Sequence, residues 1–420
     1  MDKKATKTLV SNTFIMYLLS ITKLIVPLIS LPYLTRVLSV DVYGSVSFVK
    51  SIISYAQIII DFGFVLSGTK DIVNLIAKKE NINREVGSIF YAQLFLSIVA
   101  FAGVIICSLV FEILDGMFLF VILSFVPAFL SIFLFEYVFR AIEKMGVITI
   151  RFVVMKVLAL ILTIIFVKSD NDIILIPIFD IISSIISVIP VFFQFKRLNI
   201  ACEFCIKRIK DAWISLKGAF VYFLSNFVSL AFTSFNVIII GIFLSKTDTA
   251  HFSLSFQLVT AVTVLYNPII TSVYPTMLKF KNLKLIHKIL IIYMPLILIG
   301  CLVVALFADE IISWVFTSDY IVSARLFKYL IPVLIASFLS LIYGWPCLGI
   351  IDKKKEHLIT IVIASVVQVS GVIALILFNA INFVNLIIVR CISEILLALL
   401  KIIVVYRNKK MFVENIEKES

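Results

Sequence analysis

YLLSITKLIVPLISLPYLTRVL, residues 17–38, is a run built for hydrocarbon with one lysine, Lys23, near its middle. A helix needs about 20 apolar residues to cross about 30 Å of hydrocarbon. Runs of this kind recur along all 420 residues, of which 62% are hydrophobic and 15% charged, and the mean hydropathy is +1.16. Such a chain lacks the polar surface a water-soluble protein needs. Lipid cannot satisfy a stray backbone amide, and the runs lack the alternation of a barrel strand, so the reading is an all-α, polytopic transmembrane bundle.

Twelve spans are expected, near 9–31, 45–68, 86–110, 117–139, 147–167, 173–193, 218–244, 252–277, 289–308, 329–350, 357–378 and 383–406. The first is too long for a signal-peptide core and no small-x-small site follows it. The net charge of +12 reflects topology: the amino terminus, alternate loops and the tail hold 27 of the 37 Lys and Arg, and the opposite loops hold five. By the positive-inside rule both termini are cytoplasmic, which needs an even number of spans. Expected are a six-helix half over 1–193, a basic cytoplasmic linker over 194–217, a second half over 218–406 and a tail over 407–420. YLLS at Tyr17 returns as YFLS at Tyr222, and SVSF at Ser45 as SLSF at Ser253, consistent with two parallel repeats.

The other five basic residues, Lys23, Lys50, Lys156, Arg390 and Lys401, fall inside spans. Lys23 is about 21 Å from the start of its span and about 12 Å from the end. A lysine at that depth costs about 2.5–3.5 kcal/mol unless it meets water or a counter-charge. Asn12, Met16, Ser20, Lys23, Pro27 and Ser30 share one helical face with it. In the second span Ser47, Lys50, Ser54, Gln57 and Asp61 follow at 3, 4, 3 and 4, one stripe that should face the interior. Lys50 is near enough to an end to snorkel, whereas Asp61 leans into the bilayer and is a candidate proton or cation carrier. Asp180 lies at a depth where it meets Lys23, Arg390 and Glu394 are spaced to form a pair, and Lys156 and Lys401 are expected to snorkel.

The second half carries uncharged stripes: Ser225, Ser229, Thr233 and Asn236, then Gln257, Thr260, Thr263, Asn267 and Thr271. These groups suit a sugar, and equally they bind membrane helices together. Pro27, Pro32, Pro268 and Pro275 each remove a backbone donor, for static kinking or for hinging. Cys202 and Cys205 form a C-x-x-C without a second ligand pair, so no metal is expected. His251, His287 and His357 lie in loops or at helix ends, and the sequence contains no P-loop, glycine-rich nucleotide fingerprint or metalloprotease helix.

NTFIMYLLSITKLIVPLISLPYLTRVLSVDVYG (12–44), IIDFGFVLSGTKDI (59–72) and NPIITSVYPTML (267–278) resemble the signature segments of bacterial O-antigen flippases of the Wzx type. These belong to the polysaccharide transporters of the multidrug/oligosaccharidyl-lipid/polysaccharide exporter superfamily. The pattern departs at Ser39, where glycine is expected after TRVL. The resemblance implies a multi-pass protein of the bacterial inner membrane, without cofactor. Its cargo would be an undecaprenyl-pyrophosphate-linked repeat unit, moved to the periplasmic leaflet by alternating access, with the O-antigen polymerase and chain-length regulator as protein partners. It further implies a pyrophosphate site of Lys23, Lys50 and Arg390, and a polar lining of Ser20, Ser54, Gln57, Ser229, Asn236, Gln257 and Asn267. Asp61 or Asp180 would couple transport to an ion, and Pro27, Pro268 and Pro275 would hinge. A drug exporter of the same superfamily would favour an acidic cavity, which the lysines oppose. A membrane enzyme such as an O-antigen polymerase would need a large periplasmic loop, and the longest here runs only from 309 to 328. A scaffold would have no use for intramembrane charge.

Overall fold

The computed structural model describes residues 3–201, 209–230 and 234–412, and among these every regular element is helical. The chain forms two compact units, Met1–Phe227 and Val228–Ser420. The first contains α1 (Lys3–Val37), α2 (Val40–Asp61), α3 (Phe64–Ala77), α4 (Asn83–Val110), α5 (Phe118–Leu130), α6 (Glu136–Ala141), α7 (Met145–Phe166) and α8 (Leu175–Leu198). It also holds nearly all of α9 (Ile209–Ser229). The second contains α10 (Ser234–Phe243), α11 (Lys246–Val264), α12 (Asn267–Phe280), α13 (Leu283–Val315), α14 (Ile321–Tyr329), α15 (Ile331–Ile342), α16 (Lys354–Leu377) and α17 (Phe383–Arg407).

Among the described residues, nine helical stretches are long and apolar enough to cross a membrane, and the bent pair α9–α10 makes a tenth. Their outward faces are what hydrocarbon requires. On α13, Ile291, Leu296, Leu302 and Leu306 are all more than half exposed, apolar surface that water would not tolerate over such an area. The interior combines large apolar side chains such as Phe48, Phe139 and Phe338 with buried polar ones such as Ser88, Asn236 and Gln368.

Several expected spans are broken rather than continuous. The second ends at Asp61, because Phe62 and Gly63 both take left-handed backbone angles (φ 39° and 79°), and helix resumes as α3 through a stretch expected to be loop. The break is a packing device: the Phe62 ring stacks on Phe223 with centroids 4.3 Å apart. Gly63 lies so close to α9 that a Cβ there would meet the Tyr222 Cβ at 2.5 Å and the Phe223 nitrogen at 2.8 Å. Only glycine suits both the angle and the approach. The fourth span breaks at Phe135 (φ 45°), and the eighth between α11 and α12, where Pro268 stands at the start of the new helix with no intrahelical bond to lose. The tenth continues past α15 as a π-helical turn, Gly344–Gly349. Pro27 and Pro32 lie within an unbroken α1. Ser39 adopts φ −60° and donates its backbone N–H to Asp170 at 2.8 Å, so the departure from glycine carries no strain.

Candidate functional site

On α2 the stripe runs from the buried to the exposed: Ser47 is enclosed, Ser54, Gln57 and Asp61 are half-buried and Lys50 is exposed. Ser54 donates to the Lys50 carbonyl at 2.8 Å, and Gln57 donates to both Asp61 (3.0 Å) and the Ser131 hydroxyl (2.9 Å). Gln57 thereby fixes the Asp61 carboxylate at the last turn of α2, beside the helix break. Behind it is a group that spacing alone does not reveal. Glu136 pairs with Arg140 (2.7 Å) and with the buried Arg151 (3.6 Å), and Arg151 also donates to the Leu134 carbonyl. Glu136 also bears electrostatically on Asp61.

Lys50 is exposed, yet Asp180 on α8 and Lys156 on α7 both act on its charge. Lys23 is also exposed, with its ammonium 5.4 Å from the centre of the Phe152 ring on α7. That is cation–π distance, worth about 0.5–1 kcal/mol at an exposed site. α1 is fastened to the same helix by Tyr33, whose hydroxyl donates to the carbonyls of Ile164 (2.7 Å) and Val167 (2.6 Å). Asp180, expected at the depth of Lys23, bears on Lys50.

The second unit uses its polar groups differently. Asn236, expected to line a cavity, has no exposed surface: it accepts from Gln368 on α16 at 2.9 Å, and Gln368 accepts from Ser393 on α17. An amide enclosed by three helices ties them together and touches no solute. Arg390, expected as a third cation, is buried and paired with Glu394 at 2.6 Å, while Ser337 donates to the other Glu394 oxygen at 3.0 Å. Lys401, expected to snorkel, is 5% exposed and donates to the Ser340 carbonyl and hydroxyl at 3.1 and 3.2 Å. His357, expected at a helix end, is buried beside it, under the Trp345 ring. Ser229 and Asn267 are exposed, and Gln257 is half-buried and donates to Ser253 at 3.0 Å. The side chains of Asn12, Met16, Ser20, Thr271 and Pro275, together with Cys202, Cys205 and Thr233, lie outside the described residues.

These elements define a class: a multi-pass helical membrane protein with exposed lysines on the first two helices of its first unit. The chain belongs to the polysaccharide biosynthesis protein family, whose sequence profile matches residues 9–281. A protein of Shigella dysenteriae provisionally named an O-antigen transporter is 27% identical over 66% of this chain and 69% of its own. One from Escherichia coli K12 with the same name is 27% identical over 60% of each chain, so less than two thirds of that relative is spanned. Among solved structures, the lipid II flippase MurJ in an inward closed conformation aligns with a TM-score of 0.72 over 94% of this chain and 87% of its own, at 15% identity. An inward-facing multidrug resistance MATE family transporter of the MOP superfamily aligns at 0.61 over 92% and 99%, at 14% identity. At such identities the likeness shows a shared fold.

Proposed function

We propose that this protein is a flippase that carries an undecaprenyl-pyrophosphate-linked O-antigen repeat unit from the cytoplasmic to the periplasmic leaflet of the bacterial inner membrane by alternating access. The observation that carries the reading is the accessible Lys50, with Lys23 on the helix that packs beside α7. A pyrophosphate does not cross hydrocarbon unaided, and fixed ammonium groups in a wet cleft supply the counter-charge it needs. Arg390 is already neutralised by Glu394, so the headgroup role falls to the two lysines, while Ser54 and Gln57 are left for the glycan. The family and the named relatives support the cargo class. Asp61, held by Gln57 next to Glu136, is the candidate for ion coupling, and Asp180 acts as the resident counter-charge of Lys50.

The nine spans and the bent pair, joined by α1 and α17, would make twelve, with both termini on the cytoplasmic side. The O-antigen polymerase and chain-length regulator are the protein partners this role calls for. Reconstitution with a lipid-linked repeat unit, read by its appearance in the opposite leaflet, tests the reading. Lys50→Ala and Lys23→Ala should each slow transfer about 10- to 100-fold, the loss expected for one charge-assisted contact to a phosphate. Transfer at the wild-type rate by both variants would end it.

A further inference from the structure

The repeated YLLS and YFLS motifs equate α1 with α9, and the two helices are held differently. α1 packs along the fifth span of its own half, α7, through Lys23, Phe152 and Tyr33. By that symmetry the seventh span should pack along the eleventh, α16. Its later part does, through Ser365 donating to the Val228 carbonyl at 3.5 Å and through the bond between Gln368 and Asn236. The stretch from Asp211 to Phe227 is fastened to its neighbours in the first unit. It is part of the first unit, although its place in the sequence is at the head of the second half.

Three fastenings hold it there. Near its start, Arg84 at the beginning of α4 grips Asp211 with two parallel bonds of 3.0 Å. One turn on, Ser215 shares a 2.9 Å hydrogen bond with Ser88 and donates to Glu85 at 3.1 Å. Further along, Phe223 stacks on Phe62 and Tyr222 closes over Gly63. The fully buried side chains of this stretch are small, Ala212 and Ala219, while Trp213, Ile214 and Val221 are exposed. At its start the contact is flush and closed by an ion pair whose arginine is 68% exposed, so that end separates cheaply.

We propose that residues 211–227 of α9 form a gate, shut in this conformation against α2, α3 and α4. The Arg84, Glu85 and Ser88 cluster is its latch, at the end of the bundle that the basic loops mark. The lipid-linked headgroup loads from that end only after the latch opens. This inference rests on the transport reading above.

The test is a reversible lock. Ser88→Cys and Ser215→Cys, combined in a protein whose six native cysteines have been replaced, put two thiols where two hydroxyls now touch. Oxidation should form the cross-link and cut transfer of a lipid-linked oligosaccharide by roughly tenfold or more, and a reductant should restore it. A separate arm adds Lys50→Cys and follows its labelling by a membrane-impermeant maleimide from the basic-loop side, which the lock should slow by a similar factor. That arm reads the gate whatever the cargo is: labelling that responds to the lock with no transfer in the reduced protein sinks the cargo reading and keeps the gate. A cross-link that fails to form, or one that forms and leaves labelling and transfer unchanged, overturns the gate.

Discussion

Arg390 and Glu394 offer a quantitative test of what charge does inside the second unit. Their side chains are 7% and 8% exposed and 2.6 Å apart, the guanidinium lies 5.6 Å from the centre of the Phe256 ring, and Ser337 completes the carboxylate. Removing one member strands the other in a dry site, which costs about 3–5 kcal/mol, whereas replacing both with apolar residues of similar volume is often neutral or stabilising. Arg390→Met and Glu394→Met should therefore each destabilise by about 3–5 kcal/mol, and the double variant by about 1 kcal/mol or less. At about 2–4 °C per kcal/mol for a unit of this size, the single variants should melt about 6–20 °C early and the double variant close to wild type. The melt is followed in detergent by tryptophan fluorescence, since two of the three tryptophans, Trp314 and Trp345, lie in this unit. Losses that simply add in the double variant would refute the pairing. A double variant that melts normally yet fails to transport would show Arg390 touching the cargo after all.

Gly63→Ala should cost about 2 kcal/mol or more, from the left-handed backbone and from overlap with the backbone and Cβ of α9. Gly103→Ala, in open space within α4, should be neutral or stabilise by up to about 1 kcal/mol. Equal melting of the two variants would contradict the close approach. Gln368→Leu leaves the Asn236 carbonyl oxygen and the Ser393 hydroxyl without their shared partner, for a loss of about 1–3 kcal/mol in the same assay. Asn236→Leu combined with it should recover part of that loss, and a double variant worse than either single one would argue against the tie.

The parts of this protein that follow from a period along one helix were legible. The α2 stripe and the bond from Gln57 to Asp61 are four-residue relations, and so is the pair on α17. What depends on a distant neighbour was not. The break after Asp61 is set by a ring 161 positions away in the chain, Phe223 on Phe62, in a segment whose composition continues as a plain apolar helix. Depth arithmetic assigned Lys401 to the membrane edge because it cannot see Ser340, which supplies two acceptors from another helix. Asn236 illustrates the same limit: spacing puts an amide on a face, and only the opposing helix decides whether that face meets sugar or glutamine.

α13 runs 33 residues from Leu283 to Val315, a rod of about 50 Å that exceeds the hydrocarbon thickness by about 20 Å. Its charged residues resolve the excess. Lys288 and Asp309 bracket an uninterrupted apolar stretch of about 32 Å, close to one bilayer core, with Lys284 beyond one end and Glu310 beyond the other. The helix is thus a depth gauge for the second unit: an upright setting matches the hydrocarbon thickness and brings the basic end to one headgroup layer and the acidic end to the opposite one. Any tilting of that unit during a transport cycle must drag one of those charged collars toward oil, which sets a limit on how far it can lean.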